Sequence, residues 1–569
     1  MREYRSGSQI LFGHLPEQTV DADGGIWKVK RWNSPRVESA IDINALREEL
    51  IRAAYPWKES GEDSGFVNDL YSQRTVRVQK LNYEDGIWCE PFPRLYLCRV
   101  CKRLHDEPEG RCECGSKGRR GQLPFVGYHD ACGSIKTPYV AKCPIHRQRA
   151  VRFPGTASAA ELVFYCPVCD AHIQRGFGAA CDCQQPGVLS FTVHRSGTVF
   201  KPRGISMINP PRREVLNTIE QAGGGERALE WILDGMLGRN LTDSAPVRNP
   251  DSLRKILEDR GFDTATIAAM VAAMPPTSSV TTRPPLPLTP TLKSEAERQA
   301  KQIALATFES RVTLADLRAR AESSTLKNLY DVEYPNALAI AGLERVELID
   351  RFPVLTAQFG FTRGPSAPGA SRLRTYRDAN GEYDIYGELA QTEALLIRLN
   401  PELVYEWLLR AGVTLGRATD KRSSTEAILL AMNDQNNQAT RKVTELVHSY
   451  SHAFIKRAAV YAGIEKSALS EVILPMTLSF FVYATARGSF VLGGLQALLE
   501  SELHQLLSGI VEDEYRCALD PGCEDTGAAC AVCLHLGEPS CQMFNTQLSR
   551  KVLAGGLGYF DVTTSLSAN

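Results

Sequence analysis

The residues best suited to chemistry in this sequence are cysteines that recur in pairs along its first third. Two sets share the form CxxC, ten or eleven intervening residues, then CxC: Cys98, Cys101, Cys112 and Cys114, and Cys166, Cys169, Cys181 and Cys183. Zinc takes four ligands at the corners of a tetrahedron, and two short turns that each carry two thiolates supply them. The spacing predicts two structural zinc sites with no position left for a catalytic water. A redox-active dithiol is the alternative, although it would not need the second pair.

A third constellation lies between these sets and replaces two of the cysteines with histidines. Its members are His129, Cys132, Cys143 and His146, in the pattern HxxC, ten residues, CxxH. Neutral imidazole is a good zinc ligand, so the matched spacing predicts a third zinc site. The alternative is a pair of hydrogen-bonded histidines beside two buried thiols. Cys89 belongs to none of the three sets and is predicted to be a buried thiol.

The remaining cysteines form one cluster near the C-terminus. They are Cys517, Cys523, Cys530, Cys533 and Cys541. Cys530 and Cys533 make a CxxC turn, and two of the other three would complete a fourth zinc site. Five thiols for four positions leave the assignment open, with Cys517 as the weakest candidate.

Two further histidines, His448 and His452, are four residues apart and would share one face of a helix. A metalloprotease helix needs glutamate directly after the first histidine, and Ser449 stands there instead. The pattern therefore favours a structural or hydrogen-bonding pair, with a metal-binding or substrate-contacting pair as the alternative. The dipeptide Gly-Lys of the Walker A loop is absent from the sequence, and HExxH and GxSxG are absent too. We expect neither a nucleotide-driven motor nor another enzyme.

Composition limits the class of protein. The 569 residues are 43% apolar and 23% charged, with a formal net charge of −1, which excludes a largely disordered or collagenous chain and a uniformly basic nucleic-acid coat. The N-terminal residues lack the features of a signal peptide, and tight cysteine clusters are typical of metal sites in a reducing compartment. These features predict a cytoplasmic protein. The most apolar stretch, residues 472–486, is too short to cross a bilayer and is predicted to be a buried helix.

The pattern of apolar residues predicts an α+β multidomain chain with a zinc-ribbon-rich N-terminal half, a helical middle and a helical C-terminal zinc-binding domain. Strands are expected at residues 8–13, 25–32 and 74–81, and one long helix at residues 292–321. The predicted segments are an α/β segment (1–90), a zinc-ribbon region (91–210), a helical segment (211–274), a Pro-rich linker (275–290), a long helix with a mixed α/β domain (291–440) and a C-terminal zinc-binding domain (441–569).

Basic residues gather at several places and could bind phosphates, with an ordinary solvated surface as the alternative. They are Lys117, Arg119 and Arg120; Arg147, Arg149 and Arg152; Lys201, Arg203, Arg212 and Arg213; and Lys456 and Arg457. Few aromatic side chains near them could stack on single-stranded bases. Those available are Phe125, Tyr128, Phe153 and Phe177.

Several longer stretches resemble one known family. They are FTVHRSGTVFKPRGISMINPP, FGFTRG, QTEALLIRLNPELVYEWL and, near the C-terminus, HSYSHAFIKRAAV, GSFVLGGL, GAACAVCL and SCQMFNTQLSRKVL. The chain is similar to the helicase-associated zinc-binding domain family, which ends the MrfA-type DNA-repair helicases. The same domain also occurs in separate DrmB-type subunits of the DISARM anti-phage system, and the layout of the whole chain resembles these subunits.

The resemblance implies a non-motor, zinc-binding subunit that partners a superfamily-two helicase of the DrmA type and assists its binding to DNA and its translocation. It also implies that the C-terminal cysteines bind zinc, and that His448, Asn545 and Arg550 occupy recurring positions of the family. The alternative function is an independent zinc-dependent nucleic-acid-binding protein in DNA repair or regulation. Such a protein would bind DNA without a partner, in a salt-sensitive manner.

Overall fold

The computed structural model describes most of the chain. The described residues are 1–5, 7–59, 65–153, 158–178, 181–183, 188–210, 212–243, 266, 286–365, 371–433, 438–485, 492–513, 516–537, 540–541, 543 and 545–567. Most of the predicted helical segment beyond residue 243, and residues 275–285 of the predicted Pro-rich linker, lie outside them.

The protein is α+β, as predicted, and divides into two compact units. The first unit is Met1–Met207 with Leu355–Leu389, and the second is Ile208–Val354 with Ala390–Asn569. Each unit has its own buried apolar core. Two long strands, Leu343–Thr362 and Tyr383–Leu399, contribute residues to both units.

The first unit consists mainly of short strands. Its strands are Arg2–Glu3, Thr19–Ala22, Gly25–Trp32, Arg36–Val37, Val76–Lys80, Ile87–Pro91, Tyr96–Leu97, Leu104–His105, Gly121–Gln122, Phe125–Tyr128, Ile135–Lys136, Ala150–Arg152, Val163–Tyr165, His172–Arg175, Ser190–Val193, Lys201–Ile208 and Arg374–Thr375. Its helices are Gly7–Gly13, Ile43–Glu59, Gly65–Tyr71 and the 3-10 turn Ala159–Glu161. The strands predicted at residues 25–32 and 74–81 are therefore present.

The strand predicted at residues 8–13 is wrong, because Gly7–Gly13 is a helix. Ile10 and Leu11 are both buried, and with Gly7 they occupy positions i, i+3 and i+4. That spacing puts all three on one helical face, whereas a strand would send adjacent side chains to opposite faces. Because the neighbouring apolar residues are buried on the same side, this segment forms a helix and not a strand.

Three small antiparallel sheets in the first unit position the clustered cysteines. Their strand orders are Ile135–Lys136, Phe125–Tyr128, Ser190–Val193; Ala150–Arg152, Val163–Tyr165, His172–Arg175; and Leu104–His105, Tyr96–Leu97, Gly121–Gln122. Sheets this small bury too little surface to be stable alone. They share a core that includes Leu95, Leu123, Val140 and Phe164.

The second unit consists mainly of helices around a buried hairpin. Its helices and helical turns are Arg213–Gln221, Gly224–Leu233, Pro290–Thr307, Leu314–Arg320, Ser324–Asn328, Leu329–Glu333, Tyr334–Ile340, Pro401–Arg410, Lys421–Ala431, Gln438–Tyr461, Lys466–Ala468, Pro475–Thr477, Gly494–Ala497, Leu498–Glu502, Leu503–Asp513, Gly522–Asp525, Arg550–Val552 and Tyr559–Ser567. The hairpin consists of the strands Leu469–Leu474 and Ser479–Ala484, and the second of these pairs with residues 394–398.

The long helix predicted at residues 292–321 is two helices, Pro290–Thr307 and Leu314–Arg320. The break follows from local hydrogen bonding. Thr313 caps the second helix by accepting from the Asp316 N–H, and the Asp316 carboxylate accepts from the Thr313 N–H in return. This reciprocal cap starts a new helix where the apolar pattern alone indicated continuation.

The buried helix predicted at residues 472–486 is also wrong, because residues 472–484 belong to the hairpin. Its register pairs Leu469 with Ala484 and Leu474 with Ser479. Every residue of the second strand is buried, so the alternation of a half-exposed strand is lost and the run resembles a buried helix. None of the described helices combines the length and apolarity needed to cross a bilayer.

Candidate metal centres

Four copies of one turn carry eight of the candidate ligands in the first unit. They occupy residues 98–103, 129–134, 143–148 and 166–171. In each copy the N–H of the first ligand donates to the carbonyl five residues later, and the N–H of residue i+4 donates back to the carbonyl of the first ligand, at 2.8–3.0 Å. Residue i+4 has a left-handed backbone in every copy, with φ between 56° and 70°. The turn places its two ligands, three residues apart, side by side.

The turns also favour the thiolate form of their first cysteine. Burial raises the pKa of the Cys98 thiol, but the backbone N–H groups of Cys101 and Val100 outweigh burial and lower that pKa to about 6. In the next turn burial likewise raises the pKa of Cys132, and hydrogen bonds with Ser134 lower it to about 6. Thiolate is the form of cysteine that binds a metal, so these turns prepare a ligand at neutral pH.

The first cluster forms from the four cysteines that the sequence spacing grouped together. The Sγ atoms of Cys98 and Cys114 are 3.7 Å apart, and those of Cys101 and Cys112 are 3.6 Å apart. Four sulfurs at about 2.3 Å from a tetrahedral zinc would be about 3.8 Å from one another. The residues therefore fit a four-coordinate, soft-ligand metal such as zinc.

The second and third clusters contain the predicted residues in a different grouping. One consists of His129, Cys132, Cys181 and Cys183, and the other of Cys143, His146, Cys166 and Cys169. Sequence spacing had grouped Cys166 and Cys169 with Cys181 and Cys183, and His129 and Cys132 with Cys143 and His146. That grouping is wrong: the third cluster is nested in the chain between the two halves of the second.

Strand pairing is the reason for this nested arrangement. Tyr128 pairs with Ser190, which brings residue 129 to the chain just before residue 190, where Cys183 lies 3.3 Å from the His129 ring. Ala150 pairs with Tyr165, which brings the turn at 143–148 beside Cys166. The distance from Cys166 Sγ to His146 Nδ1 is 3.6 Å. The number of residues between the ligands does not indicate which strands pair, so the grouping could not be inferred from spacing.

The C-terminal cluster consists of Cys517, Cys523, Cys530 and Cys533. Cys517, the weakest candidate from the sequence, therefore belongs to the cluster, and Cys541 is the cysteine outside it. The Cys517–Cys530 and Cys523–Cys533 sulfur distances are both 3.6 Å. Here too burial raises the pKa of the Cys530 thiol, while N–H groups of the turn lower it to about 6.

Side chains around this cluster hold its loops in place. Asp520 accepts from the backbone N–H of Cys517 and binds the Arg550 guanidinium through both carboxylate oxygens at 2.8 Å. Asn545 donates to and accepts from the backbone of Leu536 at 2.9 Å. These contacts give Asn545 and Arg550 a local structural role. The sequence alone had assigned no role to either residue.

Cys541 lies apart from the other C-terminal cysteines, in a group with His448, His452 and Glu471. All four side chains are buried. Glu471 was missed from the sequence, because one glutamate in an apolar run has no spacing that links it to residues 448 and 541. Cys89, in contrast, is buried inside the strand Ile87–Pro91 as predicted.

Several of the basic residues considered for phosphate binding are engaged within the protein. Arg149 is buried and donates to the Val140 carbonyl and to Asp106. Arg203 is buried against the Trp57 ring. Other internal partners involve Arg120 with backbone carbonyls, Lys456 with the carbonyls of Val532 and Cys533, and Arg457 with Asp513. Lys117, Arg119, Arg147 and Arg152 are exposed around the first three clusters.

Some of the aromatic residues considered for base stacking are likewise packed inside the protein, and one is exposed. Phe125 and Phe177 pack with Phe164 and Phe191 at ring-centroid distances of 5.4–5.6 Å, so they belong to the core of the small sheets. Phe153 is 50% exposed and remains accessible.

Comparison with known proteins finds a family match for the part of the chain that contains the first three clusters. Residues 6–195 match the family model of a domain of unknown function, DUF8724. This match covers less than half of the chain and includes every ligand from Cys98 to Cys183. No curated protein matches the sequence.

Proposed function

We propose that the chain is a non-motor, zinc-binding accessory subunit of a bacterial anti-phage complex, which partners a DrmA-like superfamily-two helicase. The observation that carries the proposal is the C-terminal four-cysteine cluster, held by Asp520, Arg550 and Asn545. Cys530, Cys533, Asn545 and Arg550 lie in the segments GAACAVCL and SCQMFNTQLSRKVL, whose sequence resembles the helicase-associated zinc-binding domain. The resemblance supplies the helicase and defence context.

Zinc is the metal that the donor atoms favour. The four clusters offer only thiolate and imidazole donors, and zinc prefers such ligands in tetrahedral geometry. Cys98, Cys101, Cys112 and Cys114 would hold one ion, and the two mixed clusters and the C-terminal cysteines would hold three more. Each ion would fix loops that bury little apolar surface, so its binding energy would contribute directly to folding. Four protein ligands per ion leave no open coordination position for catalysis.

The contribution to DNA binding that we propose is limited and local. Lys117, Arg119, Arg147 and Arg152 are exposed close to the first three clusters, where rigid turns could present them to a phosphate backbone. Two of them have competing contacts, since Arg119 donates to the Asp23 carbonyl and Arg152 pairs with Asp170. We therefore assign sequence-independent backbone contacts to this surface and assign translocation to the helicase.

Affinity purification of the tagged full chain from its native host, with mass spectrometry of co-eluting proteins, tests the proposal. We expect a superfamily-two helicase in near-stoichiometric amount after gentle lysis. Cys530→Ser, which removes a ligand of the C-terminal cluster, should reduce helicase recovery. Cys89→Ser, which removes a buried thiol outside every cluster, should leave recovery unchanged.

A chain that elutes without a helicase would contradict the accessory-subunit proposal. In that case, salt-dependent binding of DNA by the isolated chain would favour the independent nucleic-acid-binding protein. Exposed Lys117 and Arg147 are the residues whose substitution by alanine should then weaken binding and reduce its dependence on salt.

A further inference from the structure

The buried group formed by His448, His452, Glu471 and Cys541 has the geometry of a metal site. His448 Nε2 lies 3.3 Å from Cys541 Sγ and 3.3 Å from Glu471 Oε1, and His452 Nε2 lies 3.3 Å from the same Glu471 oxygen. One ligand atom from each of the four residues lies within 4.8 Å of all the others. Both histidines and the glutamate are 0% exposed.

The separations match those expected around a tetrahedral ion. Nitrogen and oxygen ligands bind zinc at about 2.0–2.2 Å and sulfur at about 2.3 Å, which places neighbouring ligand atoms about 3.3–3.8 Å apart. The three short distances of 3.3 Å fall at the lower end of that range. The four-cysteine clusters of this protein have edges of 3.6–3.7 Å, as larger sulfur atoms require.

His452 makes the hydrogen bond that is typical of a metal-bound histidine, in which the ring nitrogen that does not bind the metal donates to a carbonyl. Its Nδ1 lies 2.8 Å from the carbonyl oxygen of Leu534, which can only accept, so Nδ1 carries the proton. In the neutral ring, Nε2 then presents a lone pair toward Glu471 Oε1. Two acceptors face each other across 3.3 Å, and a cation between them resolves the repulsion.

Glu471 is fixed in the same way by its second oxygen. The Ser451 hydroxyl donates to Oε2, which leaves Oε1 directed at both histidines. In metal sites, hydrogen bonds from surrounding residues regularly orient the side chains that bind the ion. These contacts thus hold His452 Nε2 and one oxygen of Glu471 toward the point that His448 Nε2 and Cys541 Sγ also face.

We propose that His448, His452, Glu471 and Cys541 bind a fifth metal ion, a divalent cation of the zinc class, as a closed structural site. Four protein ligands and complete burial leave no access for substrate or water, so the site is not catalytic. The ion would join the helix Gln438–Tyr461, the strand Leu469–Leu474 and the loop that follows the C-terminal cysteine cluster. The alternative occupant of the site is a proton, which would make the group a buried imidazolium–carboxylate pair.

Metal analysis of the purified full chain distinguishes these two occupants. After dialysis against a chelator that removes surface-bound ions, we expect five equivalents of metal in the wild type. Cys541→Ser and His452→Gln should each contain one equivalent less. Cys89→Ser is the matched control, since it changes a buried thiol outside every cluster, and it should keep the wild-type content.

Wild-type metal content in both Cys541→Ser and His452→Gln would overturn the proposal. Should the two variants fail to fold, the wild-type content decides by itself. Five equivalents support the fifth site, and four or fewer overturn it. Because this test reads metal content alone, its outcome is independent of whether a helicase partner exists.

Discussion

At the scale of single residues, the candidate metal centres of the first unit depend on four positions with left-handed backbone. Lys102, Gly133, Arg147 and Asp170 each follow the second ligand of a turn. Only one of the four is glycine, although an L-residue in this conformation costs roughly 1–2 kcal/mol. The turn therefore carries a small local strain, which its hydrogen bonds offset and a bound ion would offset further.

Arg147 offers a test of this strain, because its side chain is exposed and its backbone determines the turn. Arg147→Gly should retain metal at least as well as the wild type. Arg147→Val should bind it about tenfold more weakly, since a β-branched residue resists this conformation and about 1.4 kcal/mol corresponds to a factor of ten. Competition with a chromophoric chelator measures the difference. Equal retention by the glycine and valine variants would show that the left-handed turn does not limit binding.

At the scale of elements, strand pairing decides which ligands meet. The pairing of Ala150–Arg152 with Val163–Tyr165 joins two turns that sequence spacing had placed in separate sites. Phe164 lies at the centre of this pairing, fully buried against Phe177. The integrity of the nested cluster should therefore depend on this one aromatic side chain.

Phe164→Ala should destabilise the first unit by about 3–5 kcal/mol, because it removes a large buried side chain and leaves a cavity. It should also release the ion held by Cys143, His146, Cys166 and Cys169 at a lower chelator concentration. Phe153→Ala is the control, since that ring is half exposed. Thermal unfolding with metal analysis measures both effects. Similar losses in the two variants would contradict the importance of the sheet for the cluster.

The elements also show which parts of the fold can be predicted from the pattern of apolar residues. The helix Ile43–Glu59 has a pattern that sequence alone can identify, because its buried residues Leu46, Leu50, Ala54 and Trp57 recur on one face. The strands at 469–484 could not be identified in this way, because burial on both faces removes the alternation that identifies a strand. The candidate ligands of the first unit could be predicted from residue type and spacing, whereas Glu471 could not. The grouping of those ligands could not be predicted either, because it is set by pairing between strands far apart in sequence.

At the scale of the whole molecule, each compact unit contains its own clusters of candidate metal ligands. The first unit has three, within the residues that match a domain of unknown function, and the second has the C-terminal cysteines and the group around Glu471. Closed clusters in both units are consistent with a subunit whose loops are held rigid for binding.

The nested grouping of ligands in the first unit is the central structural claim, and metal analysis of two double variants tests it most directly. Cys132→Ser with Cys181→Ser should lose one equivalent, because both residues belong to the same cluster. Cys132→Ser with Cys143→Ser should lose two, because these residues belong to different clusters. The reverse result, two equivalents lost from the first double variant and one from the second, would contradict the nested grouping and restore the one that sequence spacing predicted.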